Sequence, residues 1–137
     1  MKKNIILFCA LLFSVQLALA QQNTALQQEL DQYTQTYQLN ERQQIQVKKM
    51  LETKYTNLAE LQSIQASDAE LYEKKSMNLE RQTRMGVKSI LSETQLVIYQ
   101  RVREQKRLDL RQKIKQMQNA GAEKKEIAKA VEELKNF

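Results

Sequence analysis

Few residues in this chain of 137 are of the types that make or break covalent bonds. The chain has no histidine and a single cysteine, Cys9, which excludes a Ser-His-Asp or Cys-His centre and a histidine-bearing zinc site. Its two glycines cannot form a phosphate-binding loop. Carboxylates such as Glu41, Glu93 and Glu104 are scattered among basic residues without a catalytic partner. We therefore expect a protein that is not an enzyme and that uses neither a metal nor a cofactor.

The chemistry that the sequence does offer is electrostatic. Residues 81–115 carry ten basic and three acidic groups, whereas residues 21–80 have a net charge of −3 and residues 116–137 a net charge of zero. This basic block either attracts acidic partners or is a solvated helix face, and both interpretations stay open. Nucleic acid is not an expected partner, because no recognisable binding motif accompanies the charge. If the block binds other proteins, the candidate residues are Arg81, Arg84, Met85, Lys88, Arg101, Arg103 and Arg107.

The chain begins with the pattern of a secretory signal peptide. Two lysines at positions 2–3 precede an apolar run over residues 5–15, and residues 18–20 form an A-x-A cleavage site. The run is too short to span a bilayer. Because Cys9 lies inside the run and not at the cleavage point, a lipid anchor is not expected. We predict export through the Sec pathway and a mature chain that begins at Gln21.

The spacing of apolar residues and the absence of proline predict an all-α fold of long amphipathic helices. N-caps are indicated at Asn40, at Ser67 or Asp68, and at Ser92, and a helix stop at residues 119–121. Helices of roughly 25 residues are about 37 Å long, so we expect an elongated molecule. The predicted helices span residues 24–37, 40–65, 68–91, 92–119 and 122–135.

Apolar stripes on these helices predict the core. Large aliphatic residues and phenylalanine make up only about a fifth of residues 21–137, close to the level at which chains stay disordered. A second copy that buried part of each stripe would help such a thin core, so we expect a homodimer. The third helix has the least regular stripe, with Leu71, Leu79, Ile90 and Leu91 widely spaced. The others are Val47, Leu51, Leu58 and Leu61; Leu96, Tyr99, Leu110, Ile114 and Met117; and Ile127, Val131 and Leu134.

A short motif of the form L-(N/S)-E-x-Q occurs twice, at residues 39–43 and 91–95. In each copy the leucine closes the apolar end of a turn, the small polar residue caps the helix, and the glutamine returns a hydrogen bond to the cap. Two ordinary helix starts would produce the same pattern. The motif residues are Leu39, Asn40 and Gln43 in the first copy and Leu91, Ser92 and Gln95 in the second.

As a pair, after a signal peptide and in a small basic helical chain, the motifs resemble the two LTxxQ motifs of the Spy/CpxP family of periplasmic proteins. The resemblance covers about residues 39–110, with Asn40 and Ser92 at the positions of the motif threonine. It implies a helical hairpin that dimerises into a thin curved cradle, in which the motif residues hold the turns. Spy-type members bind unfolding proteins without ATP, and CpxP-type members also restrain an envelope-stress sensor kinase. The zinc-binding branch of the family uses histidine, which this chain lacks.

Three functions therefore compete. The first is an ATP-independent chaperone for unfolded or misfolded proteins, which would suppress the aggregation of unrelated clients. The second is a regulator that docks on the periplasmic domain of a sensor kinase and binds that one folded partner. The third is a basic amphipathic protein of the membrane surface, with the stripe of residues 96–117 on anionic lipid.

The predicted organisation of the chain has four parts. They are a signal peptide at 1–20, a short leading helix or flexible segment at 21–38, a motif-bearing helical domain at 39–119, and a C-terminal helix at 120–137.

Overall fold

A computed structural model describes residues 23–136 and shows an all-α fold. Within that range the helices are α1 (residues 23–37), α2 (Glu41–Gln65), α3 (Ala69–Ile90), α4 (Glu93–Asn119) and α5 (Lys124–Asn136). The prediction of an all-α fold is confirmed, and each predicted helix lies within two residues of an observed one at both ends. The predicted signal peptide and its cleavage site lie outside the described residues.

Helix starts follow the predicted caps. Asn40 and Ser92 each complete a capping box, in which the cap side chain accepts from the third helical residue and the glutamine there accepts from the cap backbone. At α3, Asp68 and not Ser67 is the cap, because its side chain accepts a hydrogen bond from the Leu71 N–H. These local bonds set the helix boundaries without help from the rest of the chain.

Two helices end in a left-handed residue. Gly121 follows α4 with φ of 71°, and the Ala122 N–H donates to the Met117 carbonyl at 3.0 Å, which is a Schellman ending. Gln38 follows α1 with φ of 54°, and the Leu39 N–H donates to the Thr34 carbonyl at 3.1 Å. Glutamine pays a steric cost in this conformation that glycine avoids.

The main core lies where α1, the α2–α3 hairpin and the start of α4 meet. Val47, Leu51 and Val87 have no exposed surface there. Gly86 brings α3 close to α2, because a Cβ at this position would lie 3.0 Å from the Met50 Sδ. The other buried members of the cluster are Leu26, Leu30, Tyr37, Leu39, Leu91 and Tyr99.

The stripe predicted for α3 needs correction. Its buried residues are Thr83 and Val87, which lie one turn apart, whereas Leu71 is 38% exposed and Leu79 is half-buried. The threonine is accommodated because its hydroxyl donates to the Leu79 carbonyl within the helix. Sequence reasoning looked for leucines and passed over the β-branched pair.

The second packing unit joins the C-terminal half of α4 to α5, which also touches α3. Leu110 and Ile114 of α4 and Ala130 of α5 are buried and lie outside the main core cluster. A helix of 27 residues is about 40 Å long, so α4 extends from the main core to this second unit. An open cleft remains between the two units.

Candidate functional site

The two sequence motifs meet in the structure through their glutamines. The Gln43 Nε2 donates to the Gln95 Oε1 at 2.7 Å, and the Gln95 Nε2 donates to the Gln43 Oε1 at 3.0 Å. Each amide also donates to the backbone just before the other motif, Gln43 to the Ile90 carbonyl at 2.8 Å and Gln95 to the Gln38 carbonyl at 3.1 Å. These contacts repeat with the same offset of 52 residues as the motifs, so the pair has a local two-fold character. We call this pair of glutamines the glutamine clasp.

The clasp uses the whole hydrogen-bonding capacity of both amides. The Gln43 Oε1 also accepts from the Asn40 N–H at 3.0 Å, and the Gln95 Oε1 accepts from the Ser92 N–H at 2.9 Å. Each glutamine therefore has two donated and two accepted hydrogen bonds, the full set that an amide side chain can form. Leu39 and Leu91 are buried beside the clasp in the main core. The motif residues thus tie the start of α2 to the start of α4, which is a structural role.

Next to the clasp, three tyrosines form a ladder along one wall of the cleft. The ring centroids of Tyr33 and Tyr37 are 6.0 Å apart, and those of Tyr37 and Tyr99 are 5.9 Å apart, both pairs tilted. Burial raises the pKa of Tyr33 and of Tyr37 above their ordinary value, with a further contribution from Glu29 at Tyr33 and from Tyr99 at Tyr37. Tyr33 and Tyr37 therefore remain uncharged at neutral pH.

The cleft itself has a volume of about 710 Å³ and is lined by residues of all five described helices. Met77 and Val102 add apolar surface to the tyrosine ladder. This volume falls within the range of sites that hold molecules of drug size, or a few residues of a peptide. Five basic and three acidic side chains line the same space: Lys54, Arg84, Arg103, Lys106 and Lys129, with Glu29, Glu80 and Glu133.

The structure divides the predicted binding residues into two groups. Arg84 and Arg103 line the cleft, while Lys88 and Arg107 are half-buried but do not line it. Met85, 54% exposed, lies on the outer surface. Arg81 and Arg101 are also exposed outside the cleft. The seven candidates therefore do not form a single surface.

Arg103 has a distinctive environment within the cleft. Its Nε is buried, and within residues 23–136 no acceptor bonds to it; the same holds for the Nε of Arg107 one turn further along α4. A buried N–H without an acceptor costs free energy, so rearrangement of the Arg103 side chain towards an anionic or carbonyl oxygen in the cleft would be favourable. Arg103 is thus the predicted candidate whose position in the cleft best suits binding.

Sequence reasoning missed a buried ion cluster in the floor of the cleft. The Lys54 side chain is only 4% exposed, and its Nζ lies 2.8 Å from a Glu29 oxygen and 2.6 Å from a Glu80 oxygen. The Tyr55 hydroxyl donates to Glu29 at 3.0 Å. The cluster joins α1, α2 and α3. A signal was present, because Lys54 lies on the Val47–Leu51 stripe, where a solvated lysine is not expected.

The pKa of Tyr55 is affected by the same ion cluster. Burial, followed by the hydrogen bond to Glu29 and the charges of Glu29 and Glu80, raises the pKa of Tyr55 to about 12. Its phenol therefore remains a donor to Glu29 at neutral pH. The ammonium of Lys54 also lies 5.2 Å from the centroid of the Tyr55 ring, within range of a cation–π interaction.

Residues 23–136 contain no group of three or more histidine, cysteine, aspartate or glutamate side chains positioned to bind a metal. None of the helices in that stretch is both long enough and apolar enough to cross a membrane. Comparisons with protein-family models, with curated proteins and with solved structures found no match to this chain.

Proposed function

We propose that this protein is an ATP-independent chaperone of the Spy/CpxP type, which acts in the periplasm and binds unfolded or misfolded proteins. The observation that carries the proposal is the cleft, where basic side chains lie beside a tyrosine ladder, a methionine and a valine. Such a surface attracts acidic chains by charge and then holds their apolar residues. Neither step needs a nucleotide or a catalytic group.

The electrostatic step rests on the charge of α4. Arg103 and Lys106 line the cleft within the block of net charge +7. Lys54, in contrast, is paired with Glu29 and Glu80, so its charge is largely compensated. Long-range attraction of this kind raises association rates more than it slows dissociation.

The holding step rests on adaptable apolar surface. Tyrosine offers a large rigid face at little entropic cost, and Met77 has a flexible thioether that can repack against different side chains. The cleft is open and already formed, so a client segment can enter without unfolding of the protein. This favours loose binding of many sequences over tight binding of one.

The glutamine clasp supports the resemblance from a second direction. The resemblance implies that the motif residues hold turns, and the described contacts give Gln43 and Gln95 that structural role. Two unrelated helix starts have no reason to satisfy each other's amides in a reciprocal pattern. Tyr37 and Tyr99, which lie close to the motifs in sequence, pack against each other in the lining of the cleft.

The decisive experiment measures light scattering of an acidic denatured protein, with and without this protein, in the absence of ATP. Arg103→Gln removes a cleft charge, and Arg101→Gln removes the same charge from the outer face two residues away. We expect Arg103→Gln to slow capture at low salt at least about two-fold, and Arg101→Gln to leave it nearly unchanged. At 1 M salt screening shortens to about 3 Å, so the difference should vanish.

Other outcomes would overturn the proposal. Absence of suppression by the wild-type protein would exclude the chaperone, and binding of a single folded sensor domain without protection of unrelated clients would favour the regulator. Equal effects of Arg101→Gln and Arg103→Gln on the rate of capture would contradict the role of the cleft in client binding. The membrane alternative is less well supported, because Tyr99, Leu110 and Ile114 of the α4 stripe are buried within the described chain.

The homodimer is part of the proposal and has its own test. The described chain exposes large apolar side chains that a second copy would cover, among them Ile45 on α2 and Val97 on α4. These two residues occupy equivalent positions after the two motif copies, two residues beyond each clasp glutamine. Sedimentation equilibrium at micromolar concentration should give twice the mass of the mature chain, and a monomer would contradict the cradle.

A further inference from the structure

Helix α5 is weakly attached to the rest of the described chain. It spans 13 residues, and among the side chains described on it, those of residues 124–134, only Ala130 is buried. Ile127, Val131 and Leu134 remain half-buried. The burial within α5 itself is therefore small, and the larger buried side chains of this contact are Leu110 and Ile114 of α4.

The seal between α5 and α4 is also incomplete. A second cavity of about 590 Å³ lies between them, lined on the α4 side by Met117 and Gln116 and on the α5 side by Ala130 and Glu126. This space is open to solvent, so its lining side chains contact water instead of one another, and the helix pair buries less apolar surface than a close-packed pair would. The α2–α3 hairpin, by comparison, buries Leu51 and Val87 completely.

An exposed ion pair ties α5 to α3. The Lys129 Nζ lies 2.6 Å from a Glu73 oxygen, and the two side chains are 66% and 49% exposed. Pairs in such contact with solvent hold elements only weakly and weaken further with salt. The connection to α4 is short and turns at Gly121, whose φ of 71° suits glycine.

α5 also borders the cleft. Lys129 and Glu133 line both the cleft and the smaller cavity, so the helix forms part of the wall between them. Movement of α5 away from α4 would join the two spaces. It would also uncover Leu110 and Ile114, which lie on the α4 surface that packs against α5.

We propose that α5 is a detachable lid that occupies an apolar docking site on α4, and that an amphipathic helical segment of a client takes the same site when the lid opens. The occupant chemistry is that of α5 itself, whose apolar residues recur at 127, 130, 131 and 134 on one helix face. The client half of this inference rests on the proposed chaperone function, whereas the lid does not.

The test uses a charge exchange across the ion pair in the full chain. Lys129→Glu and Glu73→Lys each replace attraction by repulsion, and the double variant restores an opposite pair with the sign reversed. Lys125→Glu makes the same charge change on the exposed side of α5 and serves as the matched control. Circular dichroism verifies that each variant retains its helices.

Hydrogen exchange of the α5 amides and binding of an apolar dye measure the opening. We expect each single variant to raise the α5 opening constant about five-fold, the double variant to return towards wild type, and Lys125→Glu to stay near wild type. If the double variant restores the wild-type opening constant, the single variants act through the ion pair and not through a change in the helicity of α5. Exchange of α5 only through global unfolding, at the rate of α2, would overturn the lid.

Aggregation assays then separate the two halves of the inference. If both single variants suppress aggregation faster than wild type, although Lys129→Glu lowers the positive charge of the cleft and Glu73→Lys does not, the uncovered α4 surface binds clients. If the α5 opening constant rises in the single variants but they suppress aggregation at the wild-type rate, the client site on α4 is refuted while the chaperone function stands. If the wild-type protein does not suppress aggregation, the proposed chaperone function fails. The hydrogen-exchange data then test only whether α5 opens as a lid.

Discussion

Replacement of a clasp glutamine by glutamate tests whether the motifs hold the fold together. At Gln43 a glutamate can still accept from the Asn40 N–H and so retains the capping box. It can no longer donate to the Ile90 carbonyl or to the Gln95 Oε1, which lie 2.8 and 2.7 Å from the present Nε2. Gln43→Glu therefore removes the two hydrogen bonds that Gln43 donates across the clasp, keeps the one that it accepts from the Gln95 Nε2, and leaves the local helix start intact.

The expected change in the free energy of unfolding can be worked out from those contacts. Two hydrogen bonds are lost at about 1 kcal/mol each, and a carboxylate oxygen then faces two acceptor oxygens at a site only 7% exposed, which costs about 1–3 kcal/mol more. A negative charge in the first turn of α2 returns about 0.5 kcal/mol through the helix dipole. We expect Gln43→Glu to lower the free energy of unfolding by about 3 kcal/mol at pH 7. Gln95 is half-buried, so Gln95→Glu should cost less.

The assay is urea unfolding followed by circular dichroism, with Gln46→Glu as the control of equal charge change on an exposed site of α2. The control should change stability by no more than about 0.5 kcal/mol. The site should raise the pKa of the new carboxyl above the unfolded value of about 4.3. The loss of unfolding free energy in Gln43→Glu, relative to wild type, is therefore expected to be small at acid pH and to grow as pH rises through the pKa of the carboxyl in the folded state. If Gln43→Glu and Gln46→Glu behave alike at pH 7, the clasp does not stabilise the fold.

Three further changes test other parts of the structure. Lys54→Met leaves the carboxylate of Glu29 without its buried partner and should cost about 3 kcal/mol in urea unfolding, with partial recovery in the double variant with Glu29→Gln; an unchanged midpoint would contradict the ion cluster. Gln38→Gly should gain about 1 kcal/mol in thermal unfolding, because Gln38 has φ of 54°, and a loss would contradict the left-handed ending of α1. The folded pKa of Tyr55, about 12, lies above its unfolded value of 10.0, so stability should fall as pH rises through that interval. Tyr55→Phe should reduce the slope with which stability falls over this pH interval. An unchanged slope would show that other groups cause the loss of stability.

Local interactions explain why the helices could be predicted from the sequence. Each cap bonds to a residue three positions away, and the stop at Gly121 depends on contacts within one turn. Apolar spacing repeats within the same distance, so the stripes of α2 and α4 were predicted as well. The stripe predicted for α3 was right at Ile90 and Leu91, which belong to or pack against the main core. It missed Thr83 and Val87, because no periodicity within α3 indicates which face α2 covers.

The candidate site could be predicted only in part. Arg101 and Arg103 lie two residues apart on one helix and must point to opposite sides, which follows from helix geometry alone. The side that faces the cleft is decided by the packing of α4 against the other helices. The sequence therefore identified the basic block, whereas the structure distinguished Arg103 in the cleft from Arg101 outside it.

By itself the sequence determined the all-α class, the helix boundaries and the uneven charge, because each depends on residues within a few positions of one another. Only the tertiary structure decided that Gln43 bonds to Gln95 across 52 residues, and that Lys54 pairs with Glu29 and Glu80. Partners so distant in sequence are selected by the way whole helices pack. A side chain that reads as solvated along one helix, such as Lys54, becomes buried when two other helices cover it.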